Sequence, residues 1–156
     1  MRVFILFFIF VIFSLNLQAQ YKKTIHSDYV IYEVQGRYST IMFTLSDEIS
    51  QNGFISSYKA DIGNAVKNIS SFYKKEPIFK NAQKIGFCRQ TLTLEMMEEN
   101  PNNLMFCPLS IALYELNNEK NLVKIVYRFA KVSNKESKVL EKVNKEILQL
   151  IENSLE

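Results

Sequence analysis

Between residues 28 and 35, apolar Val30, Tyr32 and Val34 alternate with Glu33 and Gln35, the period of two that marks a half-buried strand, and Gly36 ends it. The period then changes. Ile41, Met42, Leu45 and Ile49 fall on one helical stripe behind Ser39 or Thr40 as cap, and Asn52-Gly53 supplies a left-handed stop. Phe54 to Ala60 predicts a second strand. Asp61 is placed to cap a helix in which Ile62, Ala65, Val66, Ile69 and Phe72 share a face, until Pro77 closes the segment. Residues 79–88 predict a third strand, and 91–99 a short helix stopped by Asn100-Pro101. Residues 109–116 and 122–129 read as a hairpin, because Val123, Ile125, Tyr127 and Phe129 alternate with Lys124 and Arg128. Ser133-x-x-Glu136 has the form of a capping box ahead of Val139, Leu140, Val143, Ile147 and Leu150 at helical spacing.

Strands broken by helices but closing on a hairpin predict one α+β domain over residues 28–155. The expected form is a two-layer sandwich, with a mixed sheet of about five strands and helices on one face. Such a sheet leaves a face bare. Tyr29 or Ile31 would lie on it, so a homodimer that covers this face is expected.

The first nineteen residues obey a different pattern. Val3 to Phe13 is an unbroken apolar run of eleven behind Arg2, and the small Ala19 stands where a signal peptidase cuts. Eleven helical residues reach roughly 16 Å, about half the hydrocarbon thickness of a bilayer. Residues 1–19 are therefore expected to be a signal peptide, cleaved after Ala19, and the protein to be periplasmic or secreted. Membrane association is expected only through this leader, if it is kept as an anchor. Composition excludes more than it assigns. In 156 residues, a hydrophobic fraction of 47% excludes a disordered tail, and two cysteines are too few for a disulfide-built scaffold. A net charge of +3 is no nucleic-acid footprint.

Candidate chemistry concentrates at Cys88-Arg89, where a strand gives way to a helix. Exposed amides there would favour a Cys88 thiolate, as nucleophile or soft-metal ligand, and with Arg89 would hold a carboxylate, phosphate or sulfate. The competing reading makes Cys88 a buried hydrophobe and Arg89 an ordinary surface cation. A disulfide between Cys88 and Cys107 suits an exported chain. Its geometry depends on the helix between them. Crossing between parallel strands, that helix would leave the sulfurs at opposite sheet edges; lying across the strands, it would let them meet. His26 is the single histidine and lacks a metal-spaced cluster around it. Glu98-Glu99 and Met96-Met97 read as a solvated face beside core methionines. The chain has no Gly-x-Ser-x-Gly elbow, no second histidine for a triad and no glycine-rich phosphate loop. No catalytic residue, metal or cofactor is expected.

The stretch Gly86-Phe87-Cys88-Arg89-Gln90, then Pro101, Pro108 and Ile111-Ala112-Leu113-Tyr114-Glu115, resembles the bacterial domain-of-unknown-function 302 family, as does the step Asn52-Gly53-Phe54. The resemblance covers about Asp28 to Leu155, as a divergent, exported member. It implies a compact α+β domain, often dimeric, of unestablished biochemical role. Two positions depart from the family pattern. Arg89-Gln90 replaces the usual Asn-Pro after the first cysteine, and the second cysteine, usually at the position of Leu109, is replaced by Cys107 two residues earlier. The expected function is a non-enzymatic module that binds a small ligand or an envelope protein, with Cys88 and Arg89 as candidate site. The alternative is a periplasmic thiol-redox or soft-metal-binding protein using Cys88.

Overall fold

The alternating strands find their partners in one open antiparallel sheet. The computed structural model describes residues 21–133 and 136–156; the leader expected at 1–19 lies outside them. Strands β1 (Tyr21–Ile25), β2 (Tyr29–Gln35), β3 (Ile55–Asp61), β4 (Phe79–Cys88), β5 (Leu109–Leu116) and β6 (Leu122–Arg128) lie in the order β1-β2-β6-β5-β4-β3. Every neighbouring pair is antiparallel. The α+β sandwich expected from the sequence is therefore present, with six strands instead of about five and no parallel pair. The extra strand is β1. Its Tyr-Lys-Lys-Thr-Ile is too short and polar to stand out as a pattern, and it is held by pairing with β2, Lys23 opposite Tyr32.

Helices α1 (Tyr38–Gln51), α2 (Ile62–Phe72), α3 (Gln90–Glu99) and α4 (Lys138–Asn153) complete the described chain, with a 3-10 turn at Pro101–Phe106. Period-two burial along β5 and β6 gives the sheet one apolar face, where Ile111, Leu113, Val123, Ile125 and Tyr127 are fully buried. Onto it α1 sets Ile41, Leu45 and Ile49, α3 sets Leu92 and Met96, and α4 sets Val143, Ile147 and Ile151. Each such side chain contributes roughly 1.5–3 kcal/mol by leaving water. Asn144 ties α4 to the chain leaving β6. Its carboxamide accepts from the Tyr127 hydroxyl and the Ala130 amide and donates to the Ala130 carbonyl, all at 2.9 Å.

Local signals place some of the helix ends, with three corrections, the first at α1: it begins at Tyr38 behind Arg37 with no side-chain cap, so Ser39 and Thr40 lie inside its first turn. Gly53 takes the left-handed conformation (φ 74°) after α1, and the Asp61 side chain accepts from the Asn64 amide at 2.9 Å to cap α2. The cap of α4, however, is Ser137 and not Ser133. Ser137 directly precedes the first helical turn and accepts from the Leu140 amide at 3.0 Å. The apolar stripe predicted for α2 is not core either. Ile69 and Phe72 are 53% and 77% exposed, because α2 packs on β4 through Gly63 on a neighbouring stripe. A Cβ on Gly63 would lie 2.8 Å from the Ala82 nitrogen, so nothing larger permits that approach.

One carboxylate is buried in the covered layer. Glu115 accepts from Lys80 at 2.8 Å and from Asn81 at 2.9 Å. The Lys80 ammonium first, with Asn81 and the Asn121 backbone, holds its pKa below the ordinary glutamate range against the opposing effect of burial. The charged form thus stabilises the fold fully above about pH 4.3, and this contribution vanishes as pH falls through the depressed value. In urea unfolding followed from pH 7 to pH 3, Glu115→Gln is expected to be less stable than wild type at pH 7 and to lose stability less steeply below pH 4.5. Parallel acid limbs for the two proteins would contradict this assignment.

Candidate functional site

The antiparallel register answers the question left open about the cysteines. Phe87 pairs with Leu109, so the end of β4 and the start of β5 lie at the same edge of the sheet, while α3 and the 3-10 turn fold back between them. Cys88 and Cys107 are joined there by a disulfide, with their Cα atoms 6.4 Å apart and their positions nineteen apart in sequence. Thr93 Oγ1 approaches Cys107 Sγ at 3.8 Å, and the Cys107-Pro108 peptide is cis. Both sulfurs are engaged with each other, so neither is a thiolate or a soft-metal ligand in this state.

Arg89 is engaged as well. Its guanidinium lies 4.8 Å from the centre of the Phe54 ring and pairs with Glu146 of α4 at 2.5 Å. The Gly53 turn presents that ring, and the Asn52 carbonyl accepts a further, longer bond from Arg89 at 3.5 Å. Arg89 thus fastens the start of α3 to the end of α1 and the middle of α4. His26 stacks on Tyr29 at 4.4 Å, and the described residues include no cluster of three or more His, Cys, Asp or Glu that could hold a metal.

What the sequence reading did not assemble is the bare face. Across it the pairings run Lys84 to Ala112 to Val126 to Ile31, and one step along, Tyr58 to Gly86 to Ser110. Tyr29 pairs with Arg128 at the far side, so Tyr29 and Ile31 do sit on this face. One half of the face is electrostatically closed. Lys124 pairs with Glu119 at 2.9 Å and Glu33 at 3.9 Å, and Glu33 also takes Lys22 at 3.2 Å.

The other half is a hollow. Small Ser110 and Ala112 form its floor, and Met105, Phe106 and Pro108 form a wall beside a space of about 560 Å³. The Tyr58 ring lies over Gly86, where any Cβ would collide with it. A second space of about 660 Å³ lies beside Tyr29, Lys131 and Asp28, and Phe106, Val126, Arg128 and Phe129 line both. Both volumes fall in the ~300–1,000 Å³ range of small-molecule sites. Asp28 is neutralised by Lys131 at 2.5 Å. The hydrogen bond from that ammonium, then its charge, keeps the Asp28 carboxyl below its ordinary range, and Arg128 adds a lesser pull. Among the described residues, neither Lys84 nor Arg128 makes an ion pair. The surface can hold an apolar body and has positive charge left over.

The family model for the domain of unknown function DUF302 matches residues 30–156. The structure is similar to the crystal structure of an uncharacterized conserved DUF302 protein from Bacillus stearothermophilus. The TM-score is 0.63 at 14% identity, over 83% of this chain and 97% of that one, a likeness of fold. No curated protein matches.

The cross-link makes a measurable prediction. Replacing both cysteines by serine releases a loop of about the size for which chain entropy predicts roughly 3 kcal/mol. Urea unfolding of Cys88→Ser/Cys107→Ser is expected to show a loss of that order, matched by wild type unfolded under reducing conditions. Equal stability of oxidised wild type and the double variant would contradict the assignment.

Proposed function

The chain belongs to the DUF302 family, and from its bare sheet face we propose that it is an exported, non-enzymatic binding module whose ligand lies in the hollow over Ser110, Ala112 and Val126. One observation supports this reading above the others: two adjoining spaces of about 560 and 660 Å³ share aromatic walls at Phe106 and Phe129. Export rests on the sequence of the leader alone. The Cys88-Arg89 turn enters as a support, because Cys107 and Pro108 belong to the wall of the hollow and the disulfide holds that wall to β4.

A second copy of the chain is the other occupant of this face that an observation favours, since Tyr29 is 37% exposed beside the apolar Ile31. A homodimer formed there would cover the hollow, and sedimentation velocity separates the two readings. The protein has no tryptophan, so Ala112→Trp both fills the floor and adds a single reporter. An uncharged naphthylamine dye is expected to brighten with the monomeric wild-type protein and to lose most of that signal with Ala112→Trp at unchanged melting temperature. Equal brightening with both proteins would remove the hollow as the site. A wild-type dimer that Ala112→Trp converts to monomer would favour the second copy instead.

A further inference from the structure

We infer that the ligand is an amphiphilic organic anion, a soluble single-chain carboxylate whose head is held by Arg128 and Lys84 and whose apolar body lies between Phe106 and Phe129. This rests on the hollow being the binding site and adds the class of molecule it takes.

The charge pattern of the bare face carries the inference. All three of Lys124, Lys22 and Lys131 on or beside it have carboxylate partners, at 2.9, 3.2 and 2.5 Å. Lys84 and Arg128 stand on the same face without one among the described residues, and both border the hollow. Cations beside a low-dielectric wall attract an anion more strongly than the same charges in open water. Arg128 stands where the two spaces meet, and its guanidinium can bind a carboxylate through two parallel N–H donors. Lys84, in the strand row through Ala112 and Val126, supplies a second positive charge from the opposite side of the floor.

The apolar part follows from the remaining lining. Phe106, Val126 and Phe129 border both spaces, so a chain leaving the head at Arg128 runs over carbon in either direction. An inorganic anion would leave this wall unused. A cationic amphiphile would meet Lys84, Arg128 and Lys131 with only Asp28 in its favour, and Asp28 is already paired. A polyanion such as nucleic acid would need more than two free cations and a face without apolar walls.

The test is calorimetric titration of the full-length chain with decanoate, decyltrimethylammonium and acetate, repeated with Arg128→Gln and Lys84→Gln, which alter side chains without touching the core. Decanoate is expected to bind at least about tenfold more tightly than decyltrimethylammonium or acetate, and Arg128→Gln to weaken decanoate by about tenfold or more. Equal affinity for the cationic and anionic amphiphiles, or decanoate binding unchanged by Arg128→Gln, would overturn the inference. Absence of decanoate binding while the uncharged dye still occupies the hollow would overturn the anion and leave the site standing. Failure of both dye and decanoate would remove the site as well.

Discussion

Helices cover one face of the six-stranded sheet, and that one-sidedness constrains the rest of the molecule. The covered face can be apolar at every second residue because α1, α3 and α4 exclude water from it. The other face must remain compatible with water while built on strands whose backbones are already committed to the ladder. In this chain its two halves solve the problem differently. Around Lys124, Glu33 of β2 and Glu119 of the β5-β6 turn set opposed charges against the lysine. Around Ala112 the strands carry small residues and two cations that make no ion pair among the described residues, leaving a depression where the first half has a filled surface.

The end of the sheet that holds Cys88 organises this depression from the side. The disulfide fixes the approach to β5, and with it the 3-10 turn that contributes Met105 and Phe106 to the wall. Arg89, through Phe54 and Glu146, anchors the same corner to α1 and α4. The residues that the sequence marks as chemically conspicuous are thus bound to one another or to the covered layer. The residues that the proposed site offers to a ligand are a lysine, an arginine and a floor of small side chains that attract no notice in one dimension.

Period and punctuation in the chain made β2, β4 and the β5-β6 hairpin legible, as well as the Gly53 stop and the Asp61 cap. Those features depend on neighbours within a few residues. Strand direction was not legible, because the pattern of β4 is the same whether β5 runs with it or against it; hence the mixed sheet, and hence the uncertainty over Cys88 and Cys107. The α2 stripe misled because amphipathic spacing states that a face is apolar without stating that anything covers it. The hollow was the least legible feature. It is assembled from β3, β4, β5, β6 and the 3-10 turn, and its one local trace is the same-face run Lys84, Gly86 on β4 opposite Ser110, Ala112 on β5, visible only once register is known.

The most direct measurement of the central claim is residue-by-residue mapping of decanoate on the isotope-labelled protein by two-dimensional amide NMR. The account predicts saturable shifts at Ser110, Ala112, Val126, Arg128 and Phe129, with the amides of α1 and α4 unmoved. Shifts confined to the helical layer, or scattered without saturation over the whole chain, would contradict it.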